Sequence, residues 1–224
     1  MENTNLDISF IQNKLNLQND ELIVIGGRPG MGKTFLGLTI LKNSIQKGCY
    51  ISLRESEAEI SYKAEILNIT TDQNNFNSIC IERPSLLELI EMIVLYKDEF
   101  DYFIIDDMGD LNEVIEFLFG KNKNYHFVFR YLKLIAKSLN KNIILLAQLD
   151  KRIEEDNLFP YSFEAKNEKY VNHILILHRP EYYGIKNYDV NGNLEQNYSY
   201  IHVAKTKLKI NSIFEIKLNF NYPK

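Results

Sequence analysis

The chain has 224 residues, of which 45% are hydrophobic, 12% aromatic and 25% charged. Such a composition excludes a wholly disordered or collagen-like protein and fits one α/β domain of ordinary size. With 26 Lys and Arg against 30 Asp and Glu the formal net charge is −4, so no global basic field points to a nucleic-acid or membrane surface, and any basic site is local. Cys49 and Cys80 stand apart in apolar runs, with no metal-type pair, and are expected to be reduced core residues. The start, MENTNLDISF, lacks a basic, then apolar, secretory signal, and no window reaches the ~18 apolar residues of a membrane helix, so a cytoplasmic location without membrane contact is expected.

In chain order, Leu6–Leu17 carries Ile8, Ile11 and Leu15 on one helical face, as a linker helix for a neighbour or as a segment packed on its own domain. Apolar runs rich in β-branched residues follow at Glu21–Gly26, Cys49–Leu53, Ser78–Ile81, Tyr102–Asp106 and Asn142–Gln148. Between them helical spacing marks Thr34–Gln46, Glu57–Leu67, Pro84–Tyr96 with Pro84 in its first turn, and Phe127–Leu139. Repeated βα units of this kind build a mostly parallel central sheet flanked by helices. After a polar stretch, Asp150–Lys169, come His173–His178, Tyr200–Ala204 and Ile213–Leu218 with few helical residues between them, the pattern of antiparallel C-terminal edge strands. Asn191-Gly192 is a type I′ turn signal for a hairpin within Tyr188–Tyr200. No repeat or linker divides the chain, so the expectation is a short segment, 1–18, followed by one domain, 19–224.

The strongest chemical signal lies between the first strand and the first helix: Gly27, Arg28, Pro29, Gly30, Met31, Gly32, Lys33 and Thr34 form a P-loop. Its glycines let backbone N–H groups converge on phosphate oxygens, the helix dipole adds to them, Lys33 reaches the terminal phosphates, and the Thr34 hydroxyl suits magnesium. ATP and Mg2+ are the expected cofactors. A P-loop also needs a carboxylate at a second strand end, and the run DYFIIDD supplies Asp106, with Asp107 second choice because strand alternation sends it to the opposite side. His126, His173, His178 and His202 have no zinc spacing, and there is no GxSxG nucleophile elbow.

Taken in order, these stretches and four others resemble the C-terminal, RecA-type ATPase domain of DnaB-type replicative DNA helicases over roughly residues 17 to 220. Arg28-Pro29 sits in the P-loop as in that family, and CYISLRESEAEI is similar to its strand ending Ser-Leu-Glu-Met. DYFIIDDMGDL resembles the Asp-Tyr-Leu-Gln-Leu segment, FRYLKLIAKSLNKNIILLAQLDKRIE the basic helix and strand ending Ser-Gln-Leu, HRPEYY the Tyr-Arg-x-Glu-Tyr-Tyr run, and YIHVAKTKLK the strand with Ala-Lys-x-Arg. The resemblance implies a RecA-like P-loop NTPase fold and a hexameric ring with ATP between neighbours and single-stranded DNA in the channel. It further implies that Gln148 senses the γ-phosphate and that Lys205 and Lys207 reach a neighbour's site, where a cation would stabilise the transferred charge. By residue chemistry alone Gln148 could simply end a strand, and Lys205, Lys207 and Lys209 could form one solvated edge. Arg179, with Tyr182 and Tyr183, could flank an adenine or form a cluster at the core's rim.

The departures are chemical. Arg54 stands where the family motif has its catalytic glutamate, and a guanidinium cannot take a proton from water. Glu55 follows, and would serve as general base only where the strand end bulges or bends. Lys207 replaces an arginine, keeping charge without the bidentate fork. For DNA, Asp110–Tyr125 offers Lys121, Lys123 and Tyr125, and Asp150–Lys169 offers Lys151, Arg152, Lys166 and Lys169, the latter diluted by Glu154, Glu155 and Asp156. Two functions are therefore expected in competition: an ATP-hydrolysing motor on single-stranded DNA, or an ATP-binding regulatory or loading module with weak or no turnover.

Overall fold

The computed structural model describes residues 11, 13, 18–69, 77–111, 125–149, 169–188, 192, 194–195, 198–206 and 215–219. Strand β1 (Leu22–Gly27) is buried along its whole length, which explains why it reads as an unbroken apolar run. There follow α1 (Lys33–Asn43), β2 (Gly48–Ser52), α2 (Glu57–Ile66), β3 (Ser78–Cys80), α3 (Leu86–Leu95) and β4 (Tyr102–Asp106). A 3-10 turn (Met108–Leu111) precedes α4 (Tyr125–Leu139), β5 (Asn142–Gln148) and β6 (His173–His178). A second 3-10 turn (Pro180–Tyr183) leads to β7 (Asn187–Tyr188), β8 (Leu194–Glu195), β9 (Tyr198–Lys205) and β10 (Glu215–Asn219).

Eight strands form one sheet in the order β10-β9-β6-β1-β5-β4-β2-β3. The run from β6 to β3 is parallel, while β9 pairs antiparallel with β6 and β10 antiparallel with β9. The architecture is that of a RecA-like α/β P-loop NTPase with an antiparallel C-terminal edge. Strands β7 and β8 pair as a separate antiparallel hairpin with Gly192 at φ 81° in its turn. The segments 112–124, 150–168 and 207–214, which include Lys121, Lys123, Lys151, Arg152, Lys166 and Lys207, lie outside the described residues.

Strand alternation divides the core. Ile23 and Ile25 face α1 and α2 with Leu36, Leu38, Tyr50 and Ile104, while Leu22 and Val24 face α3 and α4 with Leu89, Ile93, Phe129 and Leu132. Ile11 is buried in the first of these clusters, so that position of the amino-terminal segment packs on its own domain; Ile8 and Leu15 lie outside the described residues. Helix α1 approaches the sheet closely because Gly37 has no side chain: a Cβ there would stand 3.0 Å from the Tyr50 ring. Both α2 and α3 start with reciprocal capping boxes, Ser56 with Glu59 and Ser85 with Glu88. Pro84 thus precedes the cap rather than lying in the first turn, because the Ser85 hydroxyl accepts from the free N–H of Glu88 at 3.1 Å and makes Ser85 the cap.

At the amino edge of the sheet, buried polar side chains tie the parallel strands together. Asn142 and Asn172 accept from the N–H groups of Glu21 and Leu22 at 3.0 and 2.9 Å, and the Glu21 carboxylate meets His173 Nε2 at 2.9 Å, both residues about 1% exposed.

Candidate functional site

Because six neighbouring strands run parallel, the carboxyl ends of β1, β2, β4, β5 and β6 lie along one edge, where ligands of open α/β sheets bind. A cavity of about 450 Å³ opens there, lined by residues that include Lys33, Thr34, Arg54, Asp106, Asp107 and Gln148. The sheet register accounts for the meeting. Gly27 of β1 pairs with Gln148 of β5, and Ser52 of β2 with Asp106 of β4. Residues more than a hundred positions apart in sequence are thereby brought to one rim.

The P-loop reverses the chain through Gly30 and Gly32, at φ 78° and 88°, conformations that favour glycine. At Gly30 a Cβ would also stand 2.6 Å from the Tyr182 ring, so the loop backbone and an aromatic from the 3-10 turn after β6 are in close approach. Pro29, Gly30, Gly32, Lys33 and Thr34 line the cavity. Arg28 and Met31 do not bring their side chains to it. The Arg28 guanidinium lies 5.3 Å from the Tyr183 ring centre and donates to its hydroxyl at 3.0 Å, and Met31 is buried in the core under α1. Their side chains pack away from the cavity, so at these two positions the loop can offer a ligand only backbone.

Lys33 Nζ donates to the carbonyls of Gly27 and Arg28 at 3.2 and 3.5 Å. Burial pulls its pKa down, and the nearby Asp107 and Asp106 charges oppose that shift, so an anion in the cavity would stabilise its charged form. The Thr34 hydroxyl donates to Asp106 Oδ2 at 2.6 Å, and the Tyr50 hydroxyl donates to the same oxygen at 2.5 Å. Burial, followed by the Asp106 charge, raises the Tyr50 pKa well above the phenol range, which keeps it a donor. A buried lysine, positive-φ glycines and a hydroxyl beside a carboxylate fit a nucleotide phosphate chain and a hard, oxygen-preferring cation such as Mg2+, with Thr34 and Asp106 as the oxygen donors.

Asp107 faces the same cavity as Asp106, against the expectation of opposite sides. Strand β4 ends at Asp106, so alternation no longer constrains the next residue. Asp107 Oδ1 accepts from the Gly109 N–H at 2.8 Å; burial pushes its pKa up against that bond and against the charge of Lys33. A similar break occurs after β2. The strand stops at Ser52, whose hydroxyl bonds both the N–H and the carbonyl of Glu55, and both Arg54 and Glu55 line the cavity. Glu55 Oε1 is ion-paired with Lys63 of α2, while its Oε2 is buried without a hydrogen-bond partner.

Arg179 reaches the cavity wall and donates through Nε to Glu181 at 2.6 Å. Tyr182 is 54% exposed beside Gly30, and Tyr183 stacks on His178 with centroids 5.9 Å apart. Lys205 is at the opposite edge of the sheet, where Nζ donates to the Val171 carbonyl at 2.8 Å, so it does not serve the cavity of its own chain. Sequence reasoning missed Tyr50, Ser52 and Lys63. Tyr50 and Ser52 were accessible in principle, being two residues apart on one face of β2. Lys63, eight residues on within α2, meets Glu55 because the chain bends back at the start of that helix.

No family model matches the chain. Over 171 residues it is 28% identical to a probable replicative DNA helicase of Guillardia theta, an alignment covering 62% of this chain and 28% of that protein. A probable replicative DNA helicase of Trieres chinensis is 24% identical, with 92% and 53% covered. The DNA repair protein RadA of Campylobacter jejuni is 28% identical over 142 residues, with 60% and 30% covered. Among solved structures, a DnaB-like replicative helicase described with its interactions with primase superimposes with a TM-score of 0.72 at 18% identity, over 91% of this chain and 57% of that one. The chain therefore spans little more than half, or less, of the length of these proteins. In sequence and in fold, it is similar to the RecA-type ATPase domain of DnaB-type replicative helicases.

Proposed function

We propose that this chain is an ATP- and magnesium-binding motor domain of the helicase type, hydrolysing ATP on single-stranded DNA. The observation that carries the reading is the convergence of Lys33, Thr34, Asp106 and Gln148 on one cavity at the carboxyl edge. In this reading Lys33 and the P-loop N–H groups hold the phosphates, and Thr34 with Asp106 holds magnesium, which supplies charge neutralisation at the phosphates. Gln148 bonds the terminal phosphate or the attacking water, and Arg179 borders the nucleotide. Residues 19–224 form the ATPase domain and 1–18 a short preceding segment.

A hexameric ring belongs to the same proposal. Lys205 and Lys207 would act on a neighbour's nucleotide, and Lys205 must first leave the Val171 carbonyl. Steady-state ATP hydrolysis with magnesium, with and without single-stranded DNA and with Lys33→Ala as the blank, tests the motor. Turnover that rises with DNA and vanishes in the variant supports it; turnover indifferent to DNA removes the DNA-driven part.

The second reading, a nucleotide-gated regulatory or loading module, is favoured by Arg54 at the cavity and by the capture of Glu55 by Lys63. Tight binding with no turnover above the Lys33→Ala blank selects it. Glu55 can act as general base only where Lys63 releases it and its inner oxygen opens to water.

A further inference from the structure

A carboxylate that takes the proton of the attacking water must offer it an oxygen within hydrogen-bond distance. Among the described residues three carboxylates line it: Glu55, Asp106 and Asp107. Glu55 has one oxygen paired with Lys63 and the other sealed from solvent. Asp106 is buried and uses Oδ2 for the hydroxyls of Thr34 and Tyr50. Asp107 differs from both. It is half-buried, its Oδ1 is anchored by the Gly109 N–H at 2.8 Å, and the anchor leaves Oδ2 for a water. Arg54, at the end of β2, is a guanidinium and accepts no proton, so among the described residues the rim there has no other proton acceptor beside the captured Glu55.

We infer that Asp107 is the general base of this site, a catalytic role transferred from the end of β2 to the end of β4. The inference rests on the ATP-hydrolysing reading above. In the step, the water oxygen bonds to the terminal phosphorus while the bond from that phosphorus to the bridging oxygen breaks. The electron pair of the broken bond stays with the diphosphate, and the water's proton passes to Asp107 Oδ2 and then to solvent. Arg54, at the same rim, supplies positive charge to the phosphate oxygens rather than accepting a proton.

Asp107→Asn tests this, because the amide oxygen can keep the Gly109 bond while proton acceptance is lost; the charge facing Lys33 is lost with it, and the affinity readout reports that part. Three readouts on the full chain decide it: turnover, affinity for a fluorescent ATP analogue with magnesium, and the nucleotide recovered from the protein after incubation with ATP. The expected result is a fall in turnover of roughly 10²- to 10⁴-fold, analogue affinity within about threefold of the parent, and recovery of intact ATP where the parent yields ADP. Glu55→Gln should lose less turnover than Asp107→Asn. The inference is overturned when Asp107→Asn turns over within several-fold of the parent, or when Glu55→Gln loses as much; either leaves the ATPase reading intact. A parent protein that binds the analogue without turnover above Lys33→Ala overturns the base and the motor together, and one that binds no analogue overturns nucleotide binding as well.

Discussion

The two edges of the parallel sheet both carry polar side chains, buried at the amino edge and graded from buried Lys33 to exposed Arg54 and Gln148 at the carboxyl edge, and they use them in opposite ways. At the amino edge Asn142, Asn172, Glu21 and His173 bond to one another or to the first residues of β1, and Lys205 and Lys133 close on the carbonyls of Val171 and Asp20. At the carboxyl edge Lys33, Arg54, Asp107 and Gln148 converge on open volume. Burial of a polar group costs free energy unless it finds a partner. A set that closes on itself is structural; a set that lines a cavity carries bonding capacity for a ligand. Substitutions should therefore separate stability at one edge from ligand affinity at the other.

Lys33→Ala should have the largest effect, lowering turnover by about a hundredfold or more and weakening nucleotide binding. The unliganded protein should unfold at nearly the same urea concentration, since the desolvation of a buried cation offsets its two bonds to the Gly27 and Arg28 carbonyls. A retained turnover would break the contrast between the edges. His173→Ala should do the reverse. Removing the buried Glu21–His173 hydrogen bond and the packing of the ring costs about 1–3 kcal/mol in urea denaturation, with analogue affinity unchanged at temperatures where the variant is folded.

Gly30→Ala lies between them. A side chain at φ 78° and 2.6 Å from Tyr182 costs about 1–3 kcal/mol, and here stability and affinity should fall together. Adding Tyr182→Ala should restore the steric part and leave the backbone part, a result read from a double-mutant cycle. The smallest effect concerns His178, which sits at the carboxyl edge yet stacks on Tyr183. Burial, then the Arg28 charge, holds its pKa below the usual 6.5. The unfolded chain takes up this proton as pH falls through about 6.5, before the folded chain does, so stability present above that pH declines below it by at most about 1.4 kcal/mol per pH unit. His178→Phe should flatten that part of the acid limb, placing His178 with the closed set despite its location.

Much of this contrast can be read in the sequence, though unevenly. The parallel strands are visible because burial on both faces demands continuous apolar runs; β4, β5 and β6 have the expected bounds. The P-loop is visible because its glycines and Lys33-Thr34 are contiguous. Tyr50 was hidden by the same logic that reveals strands, since an aromatic in an apolar run reads as core, and it is indeed core apart from the hydroxyl that reaches Asp106. Asp107 was misjudged by a rule valid only inside strands, since it follows the last residue of β4, whereas Glu55, three residues past β2, reaches the cavity through the break in the strand that the general-base role requires. The Glu55–Lys63 pair depends on the bend at the start of α2, which periodicity does not encode. The basic segments considered for DNA lie chiefly outside the described residues, apart from Lys169, whose ammonium is 4.9 Å from the Tyr170 ring centre.

The contact of Tyr182 with Gly30 has a spectroscopic consequence. The chain contains 14 tyrosines and no tryptophan, so an indole introduced by Tyr182→Trp would be the sole red-shifted emitter. It would stand half exposed over the turn of the P-loop. Displacement of solvent from that loop would register in its emission, giving the protein an optical read-out of phosphate-loop occupancy at wavelengths longer than those of the tyrosine background.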